Sequence, residues 1–402
     1  MLSGPFSPWP SYSDDEANLA KNVILSNKVN YWTGTETREF EKEFADYTGA
    51  RYAIGLSNGT VALDLALRCL GIGASDEVVV TSRTFVASVS AIVNAGAEPV
   101  FADVDLESQN ITANTIRKVL TPRTKAIVCV HLAGWPCDMD EIMDLAGERN
   151  LFVVEDCAQA HGARYKGRSV GSIGHVGCWS FCQDKIMTTG GEGGMVTTNS
   201  EDLWSKMWSY KDHGKSWEAV YEKNHPPGFR WLHESFGTNW RMMEVQAVIG
   251  RFQLKLMSSW NEKRVKNANR IWEASSALDQ LRVPTFRCHS CHCSDSDKEG
   301  CVHAGYKCYV FVDGSQADVE SIIHKINARG VPCFSGSCSE VYLEKAFQNS
   351  SFRPQERLPN AKELGETSLM FLCHPTLSEE EIEKTCQELT EVVESHFHNG
   401  RA

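Results

Sequence analysis

The sequence predicts an α/β protein with a large, mostly parallel sheet and a smaller α/β unit after it, and three observations carry that prediction. From Tyr52 onward, short apolar runs alternate with helical stretches across short connections, the pattern of strands joined by crossover helices. The run Leu151-Phe152-Val153-Val154 is apolar throughout and ends in Glu155-Asp156, as a buried parallel strand does when it delivers a carboxylate at its C-terminal end. Beyond residue 259 the alternation continues with fewer strands, which fits a second, smaller lobe.

The chain opens with a proline-rich arm and an acidic helical stretch from Asp14. A helix over Glu36 to Tyr47 follows, with Phe40, Phe44 and Tyr47 on one face. The arm reads as packing, and Tyr31-Trp32 as aromatics beside a helix start. Strand and helix then alternate: Tyr52 to Leu56 and Gly59 to Leu70, Glu77 to Thr81 and Thr84 to Ala95, Pro99 to Ala102 and Ala113 to Leu120, Ala126 to His131 and Met139 to Arg149. Leu151 to Val154 and Met195 to Thr198 are two more strands. Trp217 to Phe236 reads as a long loop without periodicity, of the kind that is functional or mobile. Asn239 and Arg241 precede a helical pattern through Met257. The expected domains are 1–259, the large ligand-binding domain with its arm, and 260–402. The second holds a helix to Leu278, a strand at Cys308 to Val312, a helix over Ala317 to Ala328 and a last helix from Glu379 to Phe397.

With 402 residues, 42% hydrophobic and 23% charged, the chain has the composition of an enzyme-sized globular protein with a substantial core. A formal charge of -12 opposes an extended phosphate backbone, so no nucleic-acid partner is expected, while one small anion can still be held by local donors. No basic segment leads into an apolar stretch at the start, and no later run reaches membrane-spanning length. The expectation is a cytoplasmic protein with no membrane partner. Fifteen cysteines, scattered through apparent helices and strands, read as free thiols in a reducing compartment. Cys288-His289-Ser290-Cys291-His292-Cys293, with Cys301, His303 and Cys308, has one zinc-like Cys-x-x-Cys spacing. It lacks a second such pair, so no metal is expected. The absence of Gly-x-Gly-x-x-Gly after the first strand, and of a phosphate-binding Gly-x-x-x-x-Gly-Lys-Ser/Thr, argues against nicotinamide and nucleoside-triphosphatase chemistry.

Chemistry concentrates between Leu151 and Asn199. Lys185 stands in Trp179-Ser180-Phe181-Cys182-Gln183-Asp184-Lys185, with Asp156 ahead of it and Gly190-Gly191-Glu192-Gly193-Gly194 behind. Desolvation favours the neutral amine, and a neutral lysine attacks aldehydes, which suits a Schiff-base lysine. A buried carboxylate needs a cationic partner, and a protonated pyridine nitrogen is one. Asn58-Gly59-Thr60 opens a helix at a strand end, where unpaired amides attract a phosphate and glycine permits close approach. Ser180 would add a hydroxyl. Taken singly, each residue also fits a structural role: a surface lysine, a helix-capping carboxylate, a core phenylalanine at Phe85.

As an ordered set the chain resembles the sugar aminotransferases of the DegT/DnrJ/EryC1/StrS family. The matching segments are Ser57-Asn58-Gly59-Thr60-Val61-Ala62-Leu63, Asp76-Glu77-Val78, Thr84-Phe85-Val86-Ala87 and Glu155-Asp156-Cys157-Ala158-Gln159-Ala160-His161-Gly162, then Ser180-Phe181 with Lys185, the Gly-Glu-Gly-Gly run ending at Gly194, and Asn239-Trp240-Arg241. One departure is an additional glycine, Gly190-Gly191, before Glu192. The resemblance implies the aspartate-aminotransferase-like fold, type I of the transferases that depend on pyridoxal 5′-phosphate (PLP). It implies Lys185 as the Schiff-base lysine, Asp156 at the pyridine nitrogen, Phe85 stacked on the ring and Gln159 near the ring hydroxyl. Gly59, Thr60 and Ser180 would hold the phosphate, and Asn239 would reach the neighbouring subunit's cofactor in a homodimer with shared active sites. L-Glutamate would be the amino donor and a nucleotide-linked keto sugar, such as a 4-keto-6-deoxy hexose, the acceptor, in amino-sugar and surface-polysaccharide biosynthesis. Relatives with histidine in place of this lysine perform dehydration, against which Lys185 argues. Amination of a cyclitol ketone, and a non-catalytic regulator of the same fold, stay open on the sequence alone.

Overall fold

Seven strands make the principal sheet: β1 (Tyr52–Leu56), β2 (Glu77–Thr81), β3 (Glu98–Ala102), β4 (Thr124–Val130), β5 (Phe152–Asp156) and, after a small hairpin of β6 (Arg164–Tyr165) and β7 (Arg168–Ser169), β8 (Val176–Ser180) and β9 (Gly194–Thr198). The structure is a computed structural model that describes residues 5–224, 231–284 and 300–399. The strand order is β1-β9-β8-β5-β4-β2-β3. Strands β3, β2, β4, β5 and β8 pair in parallel, while β9 runs antiparallel to both β8 and β1. The sheet is therefore mostly parallel, with one reversed strand.

Helices α1 (Asp14–Leu25), α2 (Glu36–Thr48), α3 (Gly59–Cys69), α4 (Ala87–Asn94), α5 (Ala113–Arg117), α6 (Met139–Arg149), α7 (Glu201–Tyr210), α8 (Trp217–Tyr221), α9 (Glu244–Leu254) and α10 (Met257–Ser276) accompany it. The two-residue period of a strand divides β2 between two cores. Val78 and Val80 pack with Leu63 and Ala66 of α3 and Ile92 of α4, whereas Val79 packs with Ile127, Val153 and the α6 residues Ile142 and Leu145. Both faces are thus covered, which is why these strands read as continuous apolar runs.

A second sheet, of β10 (Leu281–Arg282), β11 (Cys308–Val312), β12 (Cys333–Phe334) and β13 (Ser368–Phe371), has the order β10-β11-β13-β12, with every pairing antiparallel. Ala268 and Ile271 of α10, Ile322 and Ile326 of α11 (Gln316–Ala328), and Leu389 and Val392 of α13 (Glu379–Asn399) share its core, and α12 (Pro359–Thr367) leads into β13. The division between residues 259 and 260 falls inside α10, which runs unbroken from one lobe to the other.

Several elements differ from the sequence expectation. The helix expected from Thr84 begins at Ala87, because Thr84 is held outside it: its N–H donates to the Cys338 carbonyl and its hydroxyl bonds Ser88. The helix expected to reach Leu120 ends at Arg117, ahead of Thr121-Pro122, where proline disfavours helical backbone. The loop from Trp217 contains α8, capped by Ser216 and held to α7 through ring contacts of Trp217 with Trp204 and Trp208. The pattern through Met257 is two helices, separated where Lys255 and Leu256 donate back to Phe252 and Gln253 in a tightened last turn. Cys288 to Cys293 and Pro226 to Gly228 lie outside the described residues. Among those described, no helix is long and apolar enough to cross a membrane.

Candidate active site

A cavity of about 1180 Å³ lies at the C-terminal ends of β5 and β8, against the start of α3, and is walled on the other side by residues of the second lobe. Strand ends of a parallel sheet are where such folds gather ligands. Gly59, Thr60, Phe85, Asp156, Gln159, Ser180 and Lys185 all line this one cavity.

Asp156 is the last residue of β5 and is buried. One carboxylate oxygen accepts from the Ser88 hydroxyl at 2.7 Å and the other from the Ala158 amide at 3.1 Å. Burial raises its pKa above the usual carboxylate range, opposed by those two hydrogen bonds and by Lys185. It makes no ion pair among the described residues. A buried carboxylate so situated fits a cationic ligand atom. Its neighbour Glu155, pointing to the opposite face, is saturated: it accepts from His131 at 3.0 Å and from the amides of Gly171, Ile173 and Gly174. Because His131 Nδ1 accepts from Cys137, its Nε2 carries the proton given to Glu155. The turn leading into β8 is thereby tied to β5.

At the start of α3, Asn58 caps the helix by accepting from the Val61 amide at 3.0 Å, and the first amides, at Gly59 and Thr60, have no partner within the helix. A Cβ on Gly59 would stand 2.5 Å from the Ser180 Cβ, so glycine is what lets α3 approach the end of β8 this closely. Ser180 closes β8 and is buried, its hydroxyl accepting from the Cys182 amide at 3.3 Å.

Gln159 Oε1 accepts from the Ala133 amide at 2.9 Å, which leaves its NH₂ as the donor toward the cavity. Phe85 is not a core residue: it is 68% exposed, on the turn before α4. Lys185 Nζ lies 3.3 Å from Asp184 and 5.4 Å from the centre of the Tyr306 ring. Burial works to raise the Asp184 pKa, but Lys185, the Tyr306 hydroxyl and Lys307 together hold it below the usual range. Gly190 and Gly191, with φ of 83° and 118°, make the additional-glycine turn that brings Glu192 to the cavity wall.

Asn239 is exposed and lies outside the lining of its own chain's cavity, bridged to Asp212. Arg241 is an ion-pair residue, 2.6 Å from the buried Asp212. From the Cys/His stretch, His303 packs its ring against Trp135 and Trp272 and accepts from the Gly305 amide, with burial pushing its pKa down to about 3. Cys308 lies buried in β11.

Four residues of the site escape the sequence reading: Ser88, Tyr306, Lys307 and Trp9. The Trp9 indole donates to the Lys185 carbonyl at 2.8 Å and packs against Trp260 and His374. Nothing local in the sequence signals that contact, since the arm lies 176 residues away.

A model of the DegT/DnrJ/EryC1/StrS aminotransferase family matches residues 10–390. The X-ray structure of an aminotransferase from Psychrobacter cryohalolentis superposes with a TM-score of 0.92 at 60% identity, covering 98% of this chain and 100% of that one. GDP-perosamine synthase of Escherichia coli is 45% identical over 250 residues, 61% of this chain and 64% of that enzyme, so the match spans less than two-thirds of its length. A UDP-N-acetyl-3-dehydro-alpha-D-glucosamine 3-aminotransferase of Acidithiobacillus ferrooxidans is 35% identical over 368 residues, 92% of this chain and 91% of that one.

Proposed function

The chain belongs to the DegT/DnrJ/EryC1/StrS aminotransferase family, and from that premise we propose that its cavity transfers an amino group from L-glutamate to a nucleotide-linked keto sugar. The enzyme is a PLP-dependent sugar aminotransferase. The observation that carries the reading is a single cavity that holds together an amine, a buried carboxylate with no ion pair among the described residues, and an open helix start. These residues fit the cofactor: Asp156 makes no ion pair among the described residues, and Gly59 leaves room where a side chain would collide with Ser180.

When bound, PLP supplies an aldehyde that carries the amino group and a ring that takes up the electron pair of the deprotonated carbon. Asp156 would hold the proton of the pyridine nitrogen, with Ser88 fixing the carboxylate's orientation. The first amides of α3 and the Ser180 hydroxyl would bind the phosphate, Gln159 would donate to the ring hydroxyl, and Phe85 would cover the ring's face. Lys185 Nζ would take the proton from the donor's α-carbon and return it on the other side of the exchange. Asp184 stands ready to receive the amine between those tasks.

The assembly we propose is a homodimer with shared sites, in which Asn239 serves the partner's cofactor. Trp231 at 84%, Phe236 at 98% and Leu25 at 66% exposure support a covering partner. Free cysteines throughout the described residues support a reducing compartment, the cytoplasm. The test is incubation of the purified, PLP-loaded enzyme with L-glutamate and a panel of GDP-, UDP- and dTDP-linked keto sugars, with an inosose as competitor. Amino sugar and 2-oxoglutarate, read by mass spectrometry, are expected with one nucleotide sugar. Product with the inosose alone would replace the sugar assignment.

A further inference from the structure

Tyr306 stands between two lysines. Its ring centre lies 5.4 Å from Lys185 Nζ and 4.8 Å from Lys307 Nζ, and all three side chains line the cavity. The two amines differ in their partners. Lys185 has Asp184 at 3.3 Å, and Asp184 also accepts from the Tyr306 hydroxyl at 2.5 Å. Lys307 makes no ion pair among the described residues. Nearby stands a further cation, Arg264, which is buried beneath the Trp9 ring at 4.7 Å, with Nε and Nη2 lacking hydrogen-bond partners among the described residues. Burial lowers the Lys307 pKa, Asp184 opposes that, and Arg264 and Lys185 add to it.

The backbone that carries Lys307 is fixed. The Tyr306 and Lys307 amides both donate to the Ala133 carbonyl, at 3.1 and 3.5 Å, and Gln159 holds the amide of that same Ala133. A cation at a cavity wall that makes no ion pair among the described residues, and whose neighbouring carboxylate Asp184 is already engaged by Lys185 and the Tyr306 hydroxyl, has charge left to be met by a ligand. Both substrates of the proposed reaction are anions, and they approach a protein whose net charge is -12. Local positive charge is what admits them.

We propose that Lys307 binds the anionic group of a substrate, a carboxylate of the amino donor or the diphosphate of the sugar nucleotide; the assignment rests on the aminotransferase reading. An ammonium on a flexible stem is a point charge that serves either group.

The test compares PLP-loaded wild type with Lys307→Gln and Lys307→Arg. KM is measured separately for L-glutamate and for the sugar nucleotide. Calorimetric Kd is measured for two unreactive probes, glutarate and the free nucleoside diphosphate, so one readout does not depend on turnover. Lys307→Gln is expected to raise KM and Kd for one class about ten- to a hundredfold, the loss of a charge-assisted hydrogen bond, with kcat retained and Lys307→Arg close to wild type. A rise confined to glutamate and glutarate assigns the carboxylate, and one confined to the nucleotides assigns the diphosphate. Unchanged constants for both classes overturn the proposal, as does a uniform loss of kcat and affinity that arginine does not rescue. Wild type that loads no PLP and releases no 2-oxoglutarate overturns the aminotransferase reading instead.

Discussion

Asp156 and Lys185 make the most direct predictions, because the proposed reaction assigns each a task that no other residue lining the cavity is given. Lys185→Ala is expected to reduce transamination below detection, while the protein still retains PLP through the start of α3, as read by phosphate release after denaturation. Asp156→Asn should keep the fold and lose about 10²- to 10³-fold in kcat, the size of removing one electrostatic stabiliser; steady-state kinetics at saturating glutamate check it. An Asn variant with the wild-type rate would move the pyridine partner elsewhere. The place of both residues beside one cavity was legible, because a strand end and a short motif carry them within about thirty positions. The places of Lys307, Tyr306 and Trp9 were not, because the first two reach the cavity from the second lobe and Trp9 reaches the Lys185 backbone from the arm, and sequence patterns report local periodicity only. Phe85 shows an intermediate case: its place in the chain was readable, but its exposure depends on Thr84 being tied to Cys338, a contact 254 residues long in sequence.

At the scale of elements, strands β2, β4 and β5 were readable since burial on both faces leaves an unbroken apolar signature. Helix α8 was not, because five residues are too few for a 3.6-residue period to declare itself. The meeting of α3 with β8 gives a prediction here. Gly59→Ala should force the two apart, destabilising the protein by about 1 to 3 kcal/mol as overpacked sites do and weakening PLP retention, measured by thermal melting and by PLP titration. A second concerns α11, whose N-cap Ser315 is boxed with Asp318, and Asp318 is tied at 2.9 Å to His396 of α13. Those hydrogen bonds hold the Asp318 pKa down at about 2, from an ordinary 3.8. A depressed carboxylate contributes stability that is full above its unfolded pKa and is lost as pH falls through the folded one. Wild type should therefore exceed Asp318→Asn by about 0.5 kcal/mol near neutrality, a value suited to a partly exposed pair. The gap should close as pH drops from about 4 toward 2, followed by urea unfolding at each pH.

For the molecule as a whole, the succession of a larger and a smaller lobe was legible, but the cavity between them was not, since neither lobe's pattern announces a shared wall. The shared-site dimer predicts complementation: mixing Asn239→Ala with Lys185→Ala protomers should restore activity above the sum of the parents, because one composite site in the hybrid is then intact. Verified subunit exchange without that gain, or an active monomer by light scattering, would remove the model. The arm carries a different consequence. Ser7 donates to Glu381, Thr376 donates to the Pro8 carbonyl and Trp9 donates to the Lys185 carbonyl, so residues 7–9 are laced to the second lobe and to the peptide of Lys185. The arm is thus a strap beneath which helix α13, through Glu381, and the peptide of Lys185 are coupled, so that strain applied at residues 7–9 is felt at both.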